Sequence, residues 1–196
     1  MTIALEGRGI VIREAELEDA NFILALRLDE ERTHFLGKIE NDLEKQKQYL
    51  VENKKKKDDL YFIVENMQGE RFGTARIYNI TAETFTYGSW IIRKDAPYNI
   101  AIETYFLVSD CAYYVLRCQR AEFDVMKMNE SVVNFHQRMG SLIVSQDEHR
   151  YYFRQTLFEY AVMRKKYKRY VVPDPMVFLN STNSNVVNLS HHDIVL

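Results

Sequence analysis

The chain has little cysteine, proline and glycine, with two, three and seven of these residues among 196. Cys111 and Cys118 are predicted to lie in one helix, where their separation spans about 10 Å, too far for a disulfide. Without a disulfide framework, a reduced cytoplasmic setting is expected. No Cys/His cluster has metal-ligand spacing, and the tail pair His191 and His192 is expected to be solvated, so no metal site is predicted.

The chain also lacks an excess of one charge and a long hydrophobic run. Its formal net charge of -2 gives no general attraction to nucleic acid or to an anionic membrane. No apolar run approaches the roughly 20 residues that span a bilayer. Residues 1–7 lack the basic and apolar blocks of a signal peptide. The composition, 46% hydrophobic and 28% charged, is typical of a soluble globular domain.

Aromatic residues, in contrast, are abundant, with 13 tyrosines and 11 phenylalanines. Most of them must fill the interior and pair across strands of a β-rich core. The alternative for the remainder is an aromatic-lined cleft.

The hydrophobic periodicity predicts an alternation of strands and helices over residues 8–162. A first strand (8–15) is followed by two helices (16–28 and 41–51) separated by a loop around Gly37. Three strands with turn residues between them then predict an antiparallel meander (60–65, 71–78 and 84–92). A loop (93–100), a long helix (101–116), a strand (120–126), a helix after Asn129 and two strands (141–145 and 151–162) complete the order. This order indicates an α+β fold: a mixed, mostly antiparallel central sheet of about seven strands flanked by about four helices.

The last part of the chain differs in composition from the rest. Residues 172–196 contain no Lys or Arg and are rich in Asn, Ser and His, and Pro173 and Pro175 mark the change. We therefore expect one domain over residues 1–170 and a C-terminal tail over 171–196. The tail is expected either to be disordered or to pack on a partner subunit of a homodimer through its apolar residues (176–179 and 194–196).

Residues 129–140 form the most informative motif. They lie between two predicted strands, begin with Asn129, a favourable N-cap residue, and end with Gly140, a natural left-handed C-cap. This segment resembles the last conserved segment of the GNAT superfamily, the acetyl-CoA-dependent N-acyltransferases. Asn129 and Gly140 match the family spacing, His136 stands where the family most often has Tyr, and Ser141 replaces the usual Phe. The resemblance implies the GNAT fold over residues 8–167 and acetyl-CoA as cofactor.

In the family, a glycine-rich loop at a helix start binds the cofactor pyrophosphate through backbone N–H groups. At this position the present chain has residues 93–102, without any glycine, although Arg93 supplies charge, Pro97 suits a first helical turn and Ala101 is small. The residues that the resemblance implies for acetyl-CoA binding are Trp90, Ile91, Ile92, Arg93, Tyr98, Asn99, Ile100, Ala101, Asn129 and Phe135. The missing glycines leave open a non-catalytic interaction module with the same fold.

The resemblance also implies a mechanism of direct attack by an amine on the thioester. Backbone N–H groups near Trp90 to Ile92 are expected to polarise the thioester carbonyl. His136 is expected to face the sulfur as general acid, because the pKa of histidine is closer to neutral than that of tyrosine. The candidate bases are Glu83, Tyr87, Ser89, His34 and Glu31, and none of them is preferred. Substrate contacts are predicted for His34, Arg76, Tyr78 and Ser89.

One branch of the superfamily, the acetyltransferases of surface-polysaccharide and flagellin-sugar pathways, resembles this chain more closely. The shared features are Trp90-Ile91-Ile92 before a loop without glycine, Phe135-His136 before Gly140, and Tyr151-Tyr152-Phe153 in a late strand. This likeness implies that the substrate is the amine of a nucleotide-linked amino-deoxysugar. The alternatives are a protein N-terminus, a small amine such as a polyamine or an antibiotic, and the non-catalytic module.

Overall fold

A single sheet runs through the described part of the chain. The structure is a computed structural model that describes residues 2–173, 176–181 and 183–188. The ten strands in these residues pair in the order β10-β9-β1-β2-β3-β4-β5-β6-β8-β7. Their bounds are β1 Thr2–Glu6, β2 Ile10–Glu14, β3 Asp59–Asn66, β4 Arg71–Tyr78, β5 Thr84–Ile92, β6 Arg120–Met126, β7 Leu142–Gln146, β8 Arg150–Thr156, β9 Met176–Ser181 and β10 Asn183–Asn188.

Six α-helices flank the sheet in the described residues. They are α1 Ala20–Leu28, α2 Glu30–Thr33, α3 Leu43–Lys54, α4 Ile100–Asp110, α5 Glu130–Arg138 and α6 Leu157–Lys166. Side chains begin several of them: Asp42 accepts from the Lys45 N–H at the start of α3, and Thr156 forms a capping box with Glu159 at the start of α6. These caps fix where the chain turns from loop or strand into helix.

The two faces of the sheet carry different helices. In β3, Phe62 and Val64 belong to the large core cluster that includes α4, whereas the alternating residues Tyr61 and Ile63 belong to a small cluster with α1 and α3. Since successive strand residues point to opposite faces, the clusters lie on opposite sides of the sheet. Aromatic residues dominate the large cluster, as expected, with Phe62, Phe85, Phe106, Phe153, Tyr113 and Tyr160 almost fully buried.

The predicted α+β fold and its mixed, mostly antiparallel sheet are confirmed. The meander appears as β3, β4 and β5, with antiparallel registers throughout. β5 and β6 are parallel, and the other neighbouring pairs are antiparallel. The described sheet has more strands than the predicted seven because β1, β9 and β10 extend one edge.

Three details of the prediction are wrong. The last predicted strand ends at Thr156, because the capping box starts a helix there. The long helix stops being α-helical at Asp110 and continues as a π-helical turn, Cys111–Val115. Cys118 does not lie in that helix: Arg117 has a left-handed φ of 62°, and the Cys118 N–H donates to Ala112 O at 3.0 Å. Helical spacing therefore does not separate the two cysteines, which are both buried free thiols.

The predicted tail lies partly outside the described residues, including its apolar end at residues 194–196. In the described part, β9 pairs with β1 and β10 pairs with β9, both antiparallel. The domain boundary at residue 170 stays a prediction. Among the described residues, no helix is both long and apolar enough to cross a membrane.

Candidate active site

The candidate site begins where the two parallel strands in the middle of the sheet separate. β5 pairs with β6 only at Thr84–Arg120 and Phe85–Ala121. Beyond Phe85, β5 continues to Ile92 while it stays paired with β4 on its other side. The two strands thus enclose an opening, here called the β5–β6 gap, which residues 87–92 of β5 border. A strand without a neighbour exposes backbone N–H and C=O groups on that side, so the gap can receive a polar ligand.

A β-bulge shapes the β5 side of the gap. Thr74 is opposite Ile91 and Arg76 is opposite Gly88, so three steps along β5 match two along β4. Ser89, inside this bulge, has a left-handed φ of 44°, which costs a non-glycine residue about 1–2 kcal/mol. The close approach of the chains favours glycine at position 88, because a Cβ there would lie 2.7 Å from the Tyr78 ring. Strained backbone of this kind concentrates at functional sites.

Aromatic rings from three elements, β5, α4 and α5, line the core side of the gap. The Trp90 ring lies 5.0 Å from Phe135 and 6.3 Å from His136, between ring centroids, and the Tyr87 and His136 rings are 6.0 Å apart. Tyr105 of α4 touches all four of these rings. The structure therefore brings together Tyr87, Trp90, Phe135 and His136, which the sequence placed at one site.

Two polar atoms at this cluster have no hydrogen-bond partner. His136 is only 3% exposed, and its Nδ1 is buried without a hydrogen-bond partner. The indole Nε1 of Trp90 is also buried without a hydrogen-bond partner. Buried polar groups are rarely left unpaired, so such atoms are sites for a ligand to satisfy. The residues at the gap thus fit the thioester end of acetyl-CoA, which carries carbonyl and amide groups next to an apolar chain.

The protonation of His136 differs from the expectation. Burial lowers the pKa of His136 to about 3, so the imidazole is neutral at neutral pH. The premise that its pKa is well placed for general acid catalysis is wrong. A neutral imidazole still offers one N–H donor, which can stabilise a nearby anion by hydrogen bonding.

Two of the candidate bases lie in unfavourable environments. Burial raises the pKa of Tyr87 well above its usual value, and its hydroxyl lies 2.8 Å from Ser109 Oγ, so the phenol stays protonated at neutral pH. Glu83 precedes β5 at the end far from the gap, roughly 20 Å from Trp90 along the strand, and it pairs with Arg120. The structure does not bring Glu83 together with the other predicted residues.

The loop before α4 has mostly internal contacts. Arg93 bonds Asp95 and the Arg71 carbonyl oxygen, and Asn99 donates to Glu103 Oε1 at 2.8 Å. Tyr98 is 90% exposed, whereas Ile91 and Ile100 are buried. The Ile100 N–H donates to the Pro97 carbonyl oxygen at 3.0 Å and the Glu103 N–H to that of Asn99, so the N–H groups of Ala101 and Ile102 are the candidates for an anion site at the start of α4. Glu103 adds a carboxylate in the same turn, which opposes a bound phosphate.

Asn129 precedes α5, and its carbonyl oxygen accepts from the N–H groups of Val132 and Val133. Its side chain makes no capping bond to the helix; Oδ1 lies 3.2 Å from Ser131 Oγ instead. Asn129 is the N-cap residue of α5, as predicted, but its side-chain oxygen does not accept from the first N–H groups of the helix. Gly140, at φ 84°, does take the predicted left-handed conformation.

A cavity of about 420 Å³, here called the α3 cavity, opens on the opposite face of the sheet. It is lined by Arg27, Ile39, Glu40, Asp42, Lys45, Gln46, Tyr49, Tyr61, Arg76 and Ser89. Arg76 and Ser89, two predicted substrate residues, form its sheet side. Since Ser89 is part of the bulge that borders the gap, the α3 cavity adjoins the gap at this residue.

Of the predicted substrate residues, Arg76 is fixed by an ion pair, and Tyr78 and His34 are not part of the lining of the α3 cavity. Arg76 is held by Asp59 through two bonds of 2.7 and 2.6 Å, with its guanidinium over the Tyr78 ring. Tyr78 itself lines a neighbouring cavity of about 500 Å³, the β7 cavity, together with Glu122, Asp124 and Arg154. His34 is exposed, stacks edge-on against Phe35 and is not part of the lining of either cavity.

Sequence reasoning missed several site residues. Thr74, Tyr61 and Tyr49 border the site, as do Arg27 and Lys45, but no motif marked them. The alternation of Tyr61, Thr74 and Arg76 with buried apolar neighbours indicates that they share one face, and that signal was available. No group of acidic, His or Cys side chains in the described ranges is arranged to hold a metal ion.

Comparison with known proteins identifies the family of this chain. The family described as "Acetyltransferase (GNAT) domain" matches residues 10–141. The chain therefore belongs to the GNAT family and is an N-acetyltransferase. No curated protein matches the sequence.

Solved structures with the same fold show the range of the family. FdhC, described as a nucleotide-linked sugar GNAT, is 26% identical, with a TM-score of 0.79, and the alignment covers 86% of this chain and 98% of FdhC. A GCN5-related N-acetyltransferase from Brucella melitensis is 17% identical, with a TM-score of 0.72 and coverage of 87% and 86%. Spermidine N-acetyltransferase from Vibrio cholerae, in complex with CoA and spermine, is 14% identical, with a TM-score of 0.70 and coverage of 78% and 98%.

Proposed function

We propose that this N-acetyltransferase transfers the acetyl group of acetyl-CoA to the primary amine of a nucleotide-linked amino-deoxysugar. The observation that carries this proposal is the α3 cavity, which adjoins the bulge and holds three cationic side chains, Arg27, Lys45 and Arg76. Two of these cations already have carboxylate partners, Lys45 with Glu40 and Arg76 with Asp59. Arg and Lys carry several N–H donors each, so they can contact the diphosphate of a sugar nucleotide beside these partners. The likeness to FdhC supports the same substrate class.

Acetyl-CoA would enter the β5–β6 gap from the side of α4. Trp90, Phe135 and Tyr105 would hold the apolar part of the pantetheine arm, and the orphan Trp90 Nε1 would donate to one of its carbonyl groups. The start of α4 would face the pyrophosphate with the N–H groups of Ala101 and Ile102. The bound cofactor supplies an activated acetyl group as a thioester.

The residues around the gap then act on the transfer. The amine attacks the thioester carbonyl carbon, the new C–N bond forms, and the C–S bond breaks with its electron pair on sulfur. Backbone N–H groups of Trp90 and Ile92, which alternate with those that bond β4, stabilise the carbonyl oxygen as it gains charge. His136, neutral at working pH, stabilises the departing sulfur by hydrogen bonding. The amine proton leaves to solvent, so no side-chain base is required.

A polyamine is the second candidate acceptor. Glu122 and Asp124 line the β7 cavity with Arg154, and their ion-pair partners are Arg120 and Arg150. A cationic amine would compete with these arginines for the two carboxylates. The two candidates therefore place the acceptor in different cavities, the sugar nucleotide in the α3 cavity and the polyamine in the β7 cavity.

A substrate panel separates the two candidates. The purified protein is incubated with acetyl-CoA and one acceptor, and CoA release is followed by a thiol reagent. The acceptors are nucleoside-diphosphate amino sugars, the same sugars without the nucleotide, and spermidine. We expect a kcat/KM for nucleotide-linked sugars at least about 100-fold above the others, since the diphosphate contributes binding energy. A preference for spermidine, or equal rates with and without the nucleotide, would contradict the proposal.

A further inference from the structure

The strained residue Ser89 is held in place by one buried side chain. Thr74 is 0% exposed, and its Oγ1 donates to the Ser89 carbonyl oxygen at 2.8 Å. The two residues are not direct partners in the β4–β5 register, since Thr74 is opposite Ile91. The bond therefore links β4 to the extra residue of the bulge rather than to a regular position in the ladder.

This bond also sets the direction of a neighbouring donor. The carbonyl of Ser89 and the N–H of Trp90 belong to the same peptide unit, which is trans, as no cis peptide bond occurs in the described chain. In a trans peptide these two groups point in opposite directions. Because the Ser89 oxygen points to Thr74 Oγ1, the Trp90 N–H points away from Thr74 and from the β4 side.

The surroundings leave little room for another arrangement. A Cβ on Gly73, next to Thr74, would lie 2.2 Å from Ile91 O, so β4 and β5 approach closely beside the bulge. Tyr61 lies on the same face as Thr74, and burial raises the pKa of its hydroxyl, which lies near the Thr74 and Ser89 side chains. Thr74 is the member of this group whose bond reaches the Ser89 backbone.

We propose that Thr74 is a positioning residue for acetyl transfer: its hydroxyl holds the Ser89–Trp90 peptide so that the Trp90 N–H is directed to the thioester carbonyl. This inference rests on the proposed function, because it requires the thioester in the β5–β6 gap. Thr74 itself does not touch the reacting atoms. Its effect passes through the peptide plane, so it acts on the rate of the chemical step rather than on binding of the ground state.

The test compares three variants with the wild type. Thr74→Val keeps the side-chain shape and removes the hydroxyl, whereas Thr74→Ser keeps the hydroxyl. The control is Thr156→Val, which removes a hydroxyl bonded at the start of α6, away from the gap. For each variant, kcat, the KM of both substrates and the thermal midpoint are measured, and a crystal structure of Thr74→Val gives the φ of Ser89.

We expect kcat to fall about 10- to 100-fold in Thr74→Val with both KM values within about twofold, because a misdirected donor weakens only the transition state. Thr74→Ser should retain at least a third or so of the wild-type kcat, and Ser89 should leave the left-handed region in the Thr74→Val structure. Thr156→Val should lower the thermal midpoint without changing kcat.

Two results would overturn the inference. One is a wild-type kcat in Thr74→Val, and the other is a Ser89 φ that stays near its present 44° in that variant. The second result does not depend on activity, so the inference can fail while the proposed function stands. A wild-type protein that acetylates no acceptor while Ser89 moves in Thr74→Val would instead contradict the proposed function and, with it, the catalytic role of Thr74.

Discussion

The two faces of the sheet differ in how completely they are filled. The face that packs against α4, α5 and α6 holds a continuous core with stacked aromatic rings, such as Phe123 on Phe153 at 5.3 Å. The face under α1 and α3 has a core of six buried residues and, beside it, the α3 and β7 cavities. The filled face supplies most of the burial that stabilises the fold, whereas the open face leaves room for an acceptor.

The candidate site lies where the two faces communicate. The β5–β6 gap interrupts the sheet, and the bulge at Ser89 borders both the gap and the α3 cavity. A cofactor held from the filled face can thus meet an acceptor held on the open face. Changes on the filled face away from the gap should mainly affect stability, and changes in the lining of the α3 cavity should mainly affect acceptor binding.

The largest expected effect is in the filled core. Phe106→Ala removes a ring that is 1% exposed and packs against Tyr105, Tyr160 and Tyr167. We expect a loss of about 3–5 kcal/mol in the free energy of unfolding, because a cavity replaces a buried ring. Urea denaturation measures this free energy of unfolding. The matched control is Phe158→Ala on α6, where the ring is 63% exposed and the change should stay within about 0.5 kcal/mol. Similar losses for both would contradict the contrast between core and surface.

The next effect is an acid-dependent loss of stability at His136. Burial lowers its pKa in the folded state to about 3, whereas the unfolded value is near 6.5. Between these values the unfolded chain binds the extra proton, so stability is lost as the pH falls through this window. We expect His136 to contribute a loss of roughly 2 kcal/mol between pH 7 and pH 5. Denaturation at both pH values should show this loss in the wild type and a smaller loss in His136→Phe. An identical pH dependence in the two proteins would show that His136 is accessible to protons in the folded state.

A smaller effect is expected at the α3 cavity. Both lysines are ion-paired, Lys45 with Glu40 and Lys47 with Glu44, but Lys45 lines the cavity and Lys47, two residues later on α3, does not. Lys45→Ala should raise the KM of the nucleotide-linked acceptor about fivefold, because an exposed cation on a phosphate contributes modestly. Lys47→Ala should leave it unchanged, and the affinity for acetyl-CoA should be the same in both. Equal effects of the two changes would indicate general electrostatic attraction instead of a contact in the cavity.

The smallest effect concerns the starts of α5 and α6, which both lie on the filled face. The Thr156 side chain caps α6, so Thr156→Ala should cost about 1 kcal/mol of stability. The Asn129 side chain makes no capping bond, so Asn129→Ala should cost only about a few tenths of a kcal/mol of stability. Thermal unfolding compares the two. A cost at Asn129 as large as that at Thr156 would mean that its amide does cap the helix in solution.

Much of the fold was readable from the sequence because strand alternation and helix periodicity are local signals. The segment from Asn129 to Gly140 identified the family, since a helix start, an apolar face and a left-handed glycine all follow from a few residues. The start of α6 was also encoded, in Thr156 and Glu159, but the aromatic residues before it suggested a longer strand.

The critical geometry of the site was not readable in this way. Nothing marks Ser89 as left-handed, because serine rarely adopts that conformation, and the Thr74 bond that holds it spans 15 residues. The burial that lowers the pKa of His136 depends on rings from β5, β6, β8 and α4, which only the tertiary structure brings together. Cavities likewise arise from the packing of α1 and α3 over the sheet, not from any local motif.

The most direct test of the central claim is calorimetric titration of acetyl-CoA into the folded protein, with CoA as the comparison. The gap, with its orphan Trp90 and His136 nitrogens, predicts binding with a Kd below about 100 μM in spite of the loop without glycine. Trp90→Phe, which removes the indole donor, should weaken this binding. No detectable binding by a protein whose thermal transition shows that it is folded would contradict the claim that the β5–β6 gap is an acetyl-CoA site.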